Sequence, residues 1–224
     1  MIGTLQESSL HHDLKDWCAR PGDRLEVVVD GYEVDVVGED RLLEVQTGSF
    51  GALKGKLKAL LPAYRVEVVY PIAYERWVRR VDGRDRPVSR RKSPKRGRVE
   101  ELFGELLRLP QVAMHPNFSL RVLLIQEEVV WRDDGHGSWR RKGWSVADKL
   151  LLSVVDERRF TNAAEYLALI PDDLAVPFTN QSLAKSLGAR RSVAGKMTYC
   201  LRRMGLLHKV GKEGRFDLYG IGDR

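Results

Sequence analysis

Three residues invite a chemical reading first. Asp35 stands in YEVDVV (residues 32–37), and Glu44 and Gln46 stand in RLLEVQ (residues 41–46). These are two β-branched, strand-like runs separated by Gly38-Glu39-Asp40. In a tight hairpin turning at Glu39-Asp40, Asp35 lies opposite Glu44 and Glu33 opposite Gln46. Side chains alternate across a strand, so these four share one face, and Val34, Val36, Leu43 and Val45 take the other as core. Directly opposed residues have Cβ atoms about 4.5–5.5 Å apart, and like charges in that position repel. A divalent cation would relieve the repulsion, because Mg²⁺ takes one or two carboxylates plus waters and phosphate oxygens. A solvated acidic face that tolerates the repulsion is the alternative the residues leave open.

The elements around the hairpin follow from pattern. Leu5, Leu10, Leu14 and Trp17 recur at helical spacing, which predicts a helix over 5–18 stopped by Arg20-Pro21-Gly22. RLEVVVD (24–30) is a strand, 49–61 a helix stopped by Pro62, and RVEVVY (65–70) a strand before Pro71. Helix, three strands, helix, strand is a compact α/β layer rather than a bundle.

That order, with Asp on the second strand and Glu-x-Gln on the third, resembles the PD-(D/E)XK nuclease superfamily. Asp35 matches the family's Asp. Glu44-Val45-Gln46 matches its (D/E)-x-K element, with Gln in place of Lys. The resemblance spans residues 5–70 and implies a restriction-endonuclease-like mixed sheet flanked by helices. It further implies Mg²⁺- or Mn²⁺-dependent hydrolysis of phosphodiesters, with Asp35 and Glu44 holding the metal and Gln46 orienting the attacking water. Lys54 or Lys58, on the following helix, would supply the positive charge missing at position 46. Glu7 stands where the family's first helix often carries a metal-facing acid. A Gln cannot act as a general base, so a DNA-binding regulator or complex subunit with a degenerate nuclease fold is the competing expectation.

Residues 178–224 form a second unit and hold ten Lys or Arg against three acids. NQSLAKSLG (180–188) predicts a short helix capped by Thr179 or Asn180. Residues 190–205 predict a second helix, with Val193, Met197, Cys200, Leu201 and Met204 on its apolar side, and two alternating runs follow around Gly211–Gly214. This pattern resembles a winged helix-turn-helix, which implies DNA contacts from Arg190, Arg191, Lys196, Tyr199 and Arg203, with Lys212 and Arg215 on the wing. A dimerisation or packing module is the alternative. The expected organisation is a nuclease-like domain over 1–170 and a winged-helix domain over 171–224.

Residues 76–98 hold eleven Lys or Arg and two Asp. With almost no apolar periodicity they predict an inserted extended ribbon or mobile loop. Arg90, Arg91, Lys95 and Arg96 there, and Arg140 and Arg141 between Trp139 and Trp144, have the chemistry of phosphate contacts beside stacking aromatics. Solvated loop and core tryptophans are the plainer readings, and a nuclear-import signal has no other support.

The 224 residues carry a net charge of +7 and a pI near 9.5, which favours a polyanionic partner, either nucleic acid or an anionic membrane surface. Cys18 and Cys200 sit in apolar helical patterns, so they are expected as buried free thiols rather than a disulfide or a zinc site. His11, His12, His115, His136 and His208 are expected in ordinary surface or core roles. The N-terminal residues lack an apolar signal core and no run is long enough to span a bilayer, so no membrane association and a cytoplasmic location are expected. The sequence leaves open a homodimer or a partner protein in a defence or repair complex.

Overall fold

A computed structural model of the protein describes residues 8–137, 139 and 143–222. Helix α1 (Ser9–Cys18) is followed by β1 (Arg24–Val29), β2 (Tyr32–Val37) and β3 (Leu42–Val45). A 3₁₀ turn (Phe50–Leu53) leads into α2 (Lys54–Leu60), and then come β4 (Val66–Val81) and β5 (Pro87–Lys92). A second 3₁₀ turn (Val99–Leu102) runs into α3 (Phe103–Leu106), followed by β6 (Phe118–Asp133) and β7 (Trp144–Phe160). The large sheet has the order β1-β2-β3-β4-β6-β7, with β5 hydrogen-bonded to the outer half of β4. β1, β2 and β3 are antiparallel neighbours, β3, β4 and β6 run parallel, and β7 closes the edge antiparallel. The molecule is a mixed α/β structure with helices flanking a large mixed sheet.

Local chemistry explains the frame. β1 turns into β2 through Asp30-Gly31, both at positive φ (48° and 81°), which is the backbone of a two-residue hairpin turn. Leu10, Leu14 and Cys18, at helical i, i+4, i+8 spacing, pack α1 onto Val36, Leu43, Val45, Val69, Leu123 and Ile125. On the other side, Phe50, Leu53, Leu57 and Leu60 join Val68, Leu120 and Val122. Strand β3 is therefore buried along its whole length, where the sequence predicts one solvated face.

β4 does not end at Tyr70. It continues through Pro71 to Val81, beside β6 all the way. Proline is tolerated because β3 leaves this edge at Val69 and β5 arrives only at Trp77, so the missing N–H faces no ladder partner. The basic segment is thus largely strand: residues 76–81 prolong β4, and β5 pairs with them antiparallel. Apolar periodicity is absent because the four-stranded arm β5-β4-β6-β7 is built on ion pairs. Glu75, Glu127 and Glu128, all nearly buried, take Arg76, Arg79, Arg90, Lys92 and Arg96.

After α4 (Ala163–Leu167), strand β8 (Phe178–Thr179) leads into α5 (Asn180–Ser186) and α6 (Arg191–Arg203). β9 (Leu207–Glu213) and β10 (Phe216–Ile221) complete a three-stranded sheet of order β8-β10-β9. Thr179 and Ser182 form a reciprocal capping box that starts α5. Phe178, Leu183, Met197, Cys200 and Leu201 belong to the same apolar cluster as Leu102, Phe103 and Leu106, so this unit shares the core of the large sheet. Arg98 fastens the joint by donating to the carbonyls of Leu187 (2.6 Å) and Gly188 (2.8 Å) in the α5–α6 turn. Both cysteines are buried free thiols, and no described helix is long and apolar enough to cross a membrane.

Candidate active site

The hairpin adopts the expected register, Val37 opposite Leu42 and Val36 opposite Leu43. The ladder stops there, because β3 transfers its pairing to β4. Glu33 pairs with Val28 across the β1–β2 ladder, not with Gln46. Where β2 and β3 part, the Asp35 carboxylate replaces the missing ladder acceptor and takes the Val45 N–H at 2.7 Å. Asp35 and Glu44 are thereby brought together at the point where the strands separate.

Two further side chains complete the cluster. Lys56 Nζ of α2 lies 2.5 Å from Glu44 Oε1, and His11 Nε2 of α1 lies 3.2 Å from Asp35 Oδ2. Burial and the adjacent Asp35 carboxylate push Glu44 up to about 7, against the pull of the Lys56 ammonium. Burial also opposes ionisation of Asp35. The His11 imidazole close by, the Val45 hydrogen bond and the Lys56 charge outweigh it, and hold Asp35 below the usual carboxylate range. Two neighbouring acids with pKa values driven apart by their surroundings are a recurrent property of reactive sites.

Other expected site residues are distributed differently. Gln46 turns its amide to the Ser49 carbonyl at 3.1 Å. Lys54 and Lys58 do not reach the carboxylates. About 100° of rotation per helical residue puts Lys56 on the far side of α2 from both, and Lys54 and Lys58 line a groove elsewhere. Glu7, Arg140 and Arg141 lie outside the described residues. Lys56 and His11 were missed, although each has a helical-phase signal: Lys56 is flanked by buried Leu53, Leu57 and Leu60, and His11 by Leu10 and Leu14.

A cavity of about 170 Å³ is lined by Leu10, Thr47, Tyr70, Arg76, Lys95 and Lys149 among others, and Asp35, Glu44, His11 and Lys56 are not in its wall. Tyr70, Lys95 and Glu101 also line a cleft of about 500 Å³ that reaches Arg190, Ser192 and Lys196 of the C-terminal unit. Within the basic arm, Arg90 is paired with Glu128 and lies over Trp77. Lys95 meets Glu101, Arg96 meets Glu75 and Tyr74, and Arg91 is exposed. Arg80 sits over both Trp131 and Trp144. In the C-terminal unit, Arg191 and Arg215 lie over the Phe216 ring and Lys212 is exposed. Tyr199 and Arg203 face the groove that Lys54 and Lys58 line.

Among the described residues no group of three or more His, Cys, Asp and Glu is gathered to hold a metal. Asp35 and Glu44 nevertheless offer the hard oxygen donors that Mg²⁺ or Mn²⁺ uses, and two carboxylates meet Mg²⁺'s modest demand for protein ligands. The donor set therefore fits such an ion.

Fold and site together define an α/β protein with a paired-carboxylate hairpin in a large mixed sheet. A family model described as a domain of unknown function, DUF8091, matches residues 8–161, and the chain belongs to that family. An uncharacterized protein of Treponema pallidum (strain Nichols) is 35% identical over 227 residues, covering 97% of this chain and 86% of the relative. The family match covers the sheet and its arm, whereas the relative's similarity extends into the C-terminal unit. No solved structure matches the chain.

Proposed function

We propose that this protein is a metal-dependent endonuclease acting on DNA, with a restriction-endonuclease-like core and a winged-helix unit that helps hold the substrate. One observation carries the reading. The buried Glu44 carboxylate and the half-buried Asp35 carboxylate meet where β2 and β3 part, with the Lys56 ammonium 2.5 Å from Glu44. The α1-β1-β2-β3-α2-β4 order, antiparallel then parallel, supports it, as does the helix, strand, two helices and hairpin of the C-terminal unit. Tyr70, Lys95 and Glu101 line both the smaller cavity and the cleft reaching α6, which supports a continuous surface toward the C-terminal unit.

Asp35 and Glu44 would hold the ion, which when bound neutralises phosphate charge and acidifies a water. His11 keeps Asp35 ionised and oriented. Lys56 is close enough to exchange Glu44 for a phosphate oxygen and so to stabilise charge on the phosphate. Gln46 can orient a water but cannot take its proton.

A non-catalytic DNA-binding regulator is the second reading. It is favoured by Gln46, which stands in the family's lysine position and is turned to Ser49. Incubation of the protein with plasmid DNA and Mg²⁺ or Mn²⁺ tests both. Wild type should nick. Asp35→Ala and Glu44→Ala should abolish nicking, and Lys56→Ala should slow it about a hundredfold without loss of DNA affinity. Nicking that survives Asp35→Ala would falsify the site. Tight binding without nicking on duplex, branched or single-stranded DNA would select the regulator.

A further inference from the structure

On the opposite side of α2 from Lys56 lies a groove of about 750 Å³. Three segments line it: α2 and its C-terminal turn, the chain from Leu107 to Pro116, and α6. Leu57, Leu61 and Leu109 are buried beneath it, and its open apolar surface comes from half-buried Leu107 and Val112 and from Met114 (38% exposed) and Tyr199 (47%). Each segment contributes a cation: Lys54 and Lys58 from α2, Arg108 from the middle segment, Arg203 from α6. Among the described residues no Asp or Glu lines the groove. None of the four cations makes an ion pair with another described residue, in contrast to the basic arm, where buried glutamates take up most of the charge.

We infer that this groove docks an acidic, amphipathic helical segment of a partner protein, lodging its apolar stripe on the surface of Leu107, Val112 and Met114 and its carboxylates against Lys54, Lys58, Arg108 and Arg203. Charge complementarity requires an anionic occupant, and the apolar lining distinguishes between anions. A nucleic-acid strand covers such a lining with sugar and phosphate and stacks bases on a run of successive aromatics, whereas among the described residues only Tyr199 and the His115 imidazole offer aromatic rings here. A helix laid in a groove buries an apolar stripe at i, i+3, i+4, i+7 and leaves its flanks for charged pairs. The α6 stripe of Tyr199 and Arg203, which by sequence resembles a DNA-reading face, is on this account turned to protein.

Fluorescence anisotropy on the full chain tests the inference, independently of nuclease activity. The probes are a labelled synthetic helix with one leucine stripe flanked by glutamates, its lysine-flanked counterpart, a glutamate-rich scramble without the stripe, and single-stranded oligo-dT. The acidic amphipathic helix should bind, and the other two peptides should not. Lys58→Glu with Arg203→Glu should weaken binding about tenfold or more. The milder Lys58→Gln with Arg203→Gln should weaken it less, with far-UV circular dichroism unchanged. The inference is overturned if the acidic helix fails to bind, if both pairs of substitutions leave its affinity unaltered, or if they abolish oligo-dT binding instead.

Discussion

At Glu44 the hairpin carries a charge that folding does not favour. Its pKa rises from an ordinary 4.5 to about 7 on burial beside Asp35. For an acid raised in the folded state, the stabilising contribution is complete below the unfolded value and is lost as pH rises through the folded one. Metal-free wild type should therefore lose stability between about pH 4.5 and pH 7 at this site, by on the order of 3 kcal/mol. Glu44→Gln removes the titration. Melting temperatures measured in EDTA should show the variant gaining on wild type at pH 8 and the gain fading by pH 5. A difference that does not change with pH would show that Glu44 ionises freely. Much of this pair was legible in the sequence, because the turn at Glu39-Asp40 fixes which residues face each other. The partners were not. Lys54, Lys56 and Lys58 differ only in helical phase, and that phase is set by which leucines of α2 meet the sheet.

The elements differ in how openly their sequences declare them. α1, β1, β2 and β3 follow from spacing and turn chemistry. β4 does not, because proline within a strand reads as a stop until it is known that β3 has already left that edge. The arm is hidden for a related reason: its strands pair Arg with buried Glu, so the alternation that marks a strand is missing. At the joint between sheet and C-terminal unit, one side chain spans the boundary. Arg98 gives charged hydrogen bonds to two carbonyls of the α5–α6 turn, each on the order of 1.5–3 kcal/mol. Arg98→Ala should lower the urea midpoint. It should also speed amide exchange in the α5–α6 turn well before β6 or β7 are affected. Uniform faster exchange throughout would mean that Arg98 supports the whole fold rather than this joint.

For the molecule as a whole, formal charge overstates what is available to a polyanion. Among the described residues, eight of the eleven cations in 76–98 have ion-pair partners, leaving Arg80, Arg84 and Arg91. Each phosphate contact contributes about 0.9 to the slope of log affinity against log salt on duplex DNA. The measured slope should then stay well below what the basic count implies, and Arg91→Ala should lower it by about one while Arg90→Ala changes it less. Equal losses from both would show that the glutamates release their arginines on binding. The basic residues expected of this surface are thus largely paired with carboxylates, and the burial of Glu75, Glu127 and Glu128 that pairs them cannot be read from the chain order.

Trp77, Trp131 and Trp144 all stand in the arm with cationic side chains over their rings. No tryptophan occurs after Trp144. The protein's tryptophan emission therefore originates outside the C-terminal unit, in α1, the sheet, its arm and Trp139. A ligand that draws Arg80 or Lys92 off these rings would change the emission intensity, so the arm carries its own optical reporter of occupancy, with no label attached.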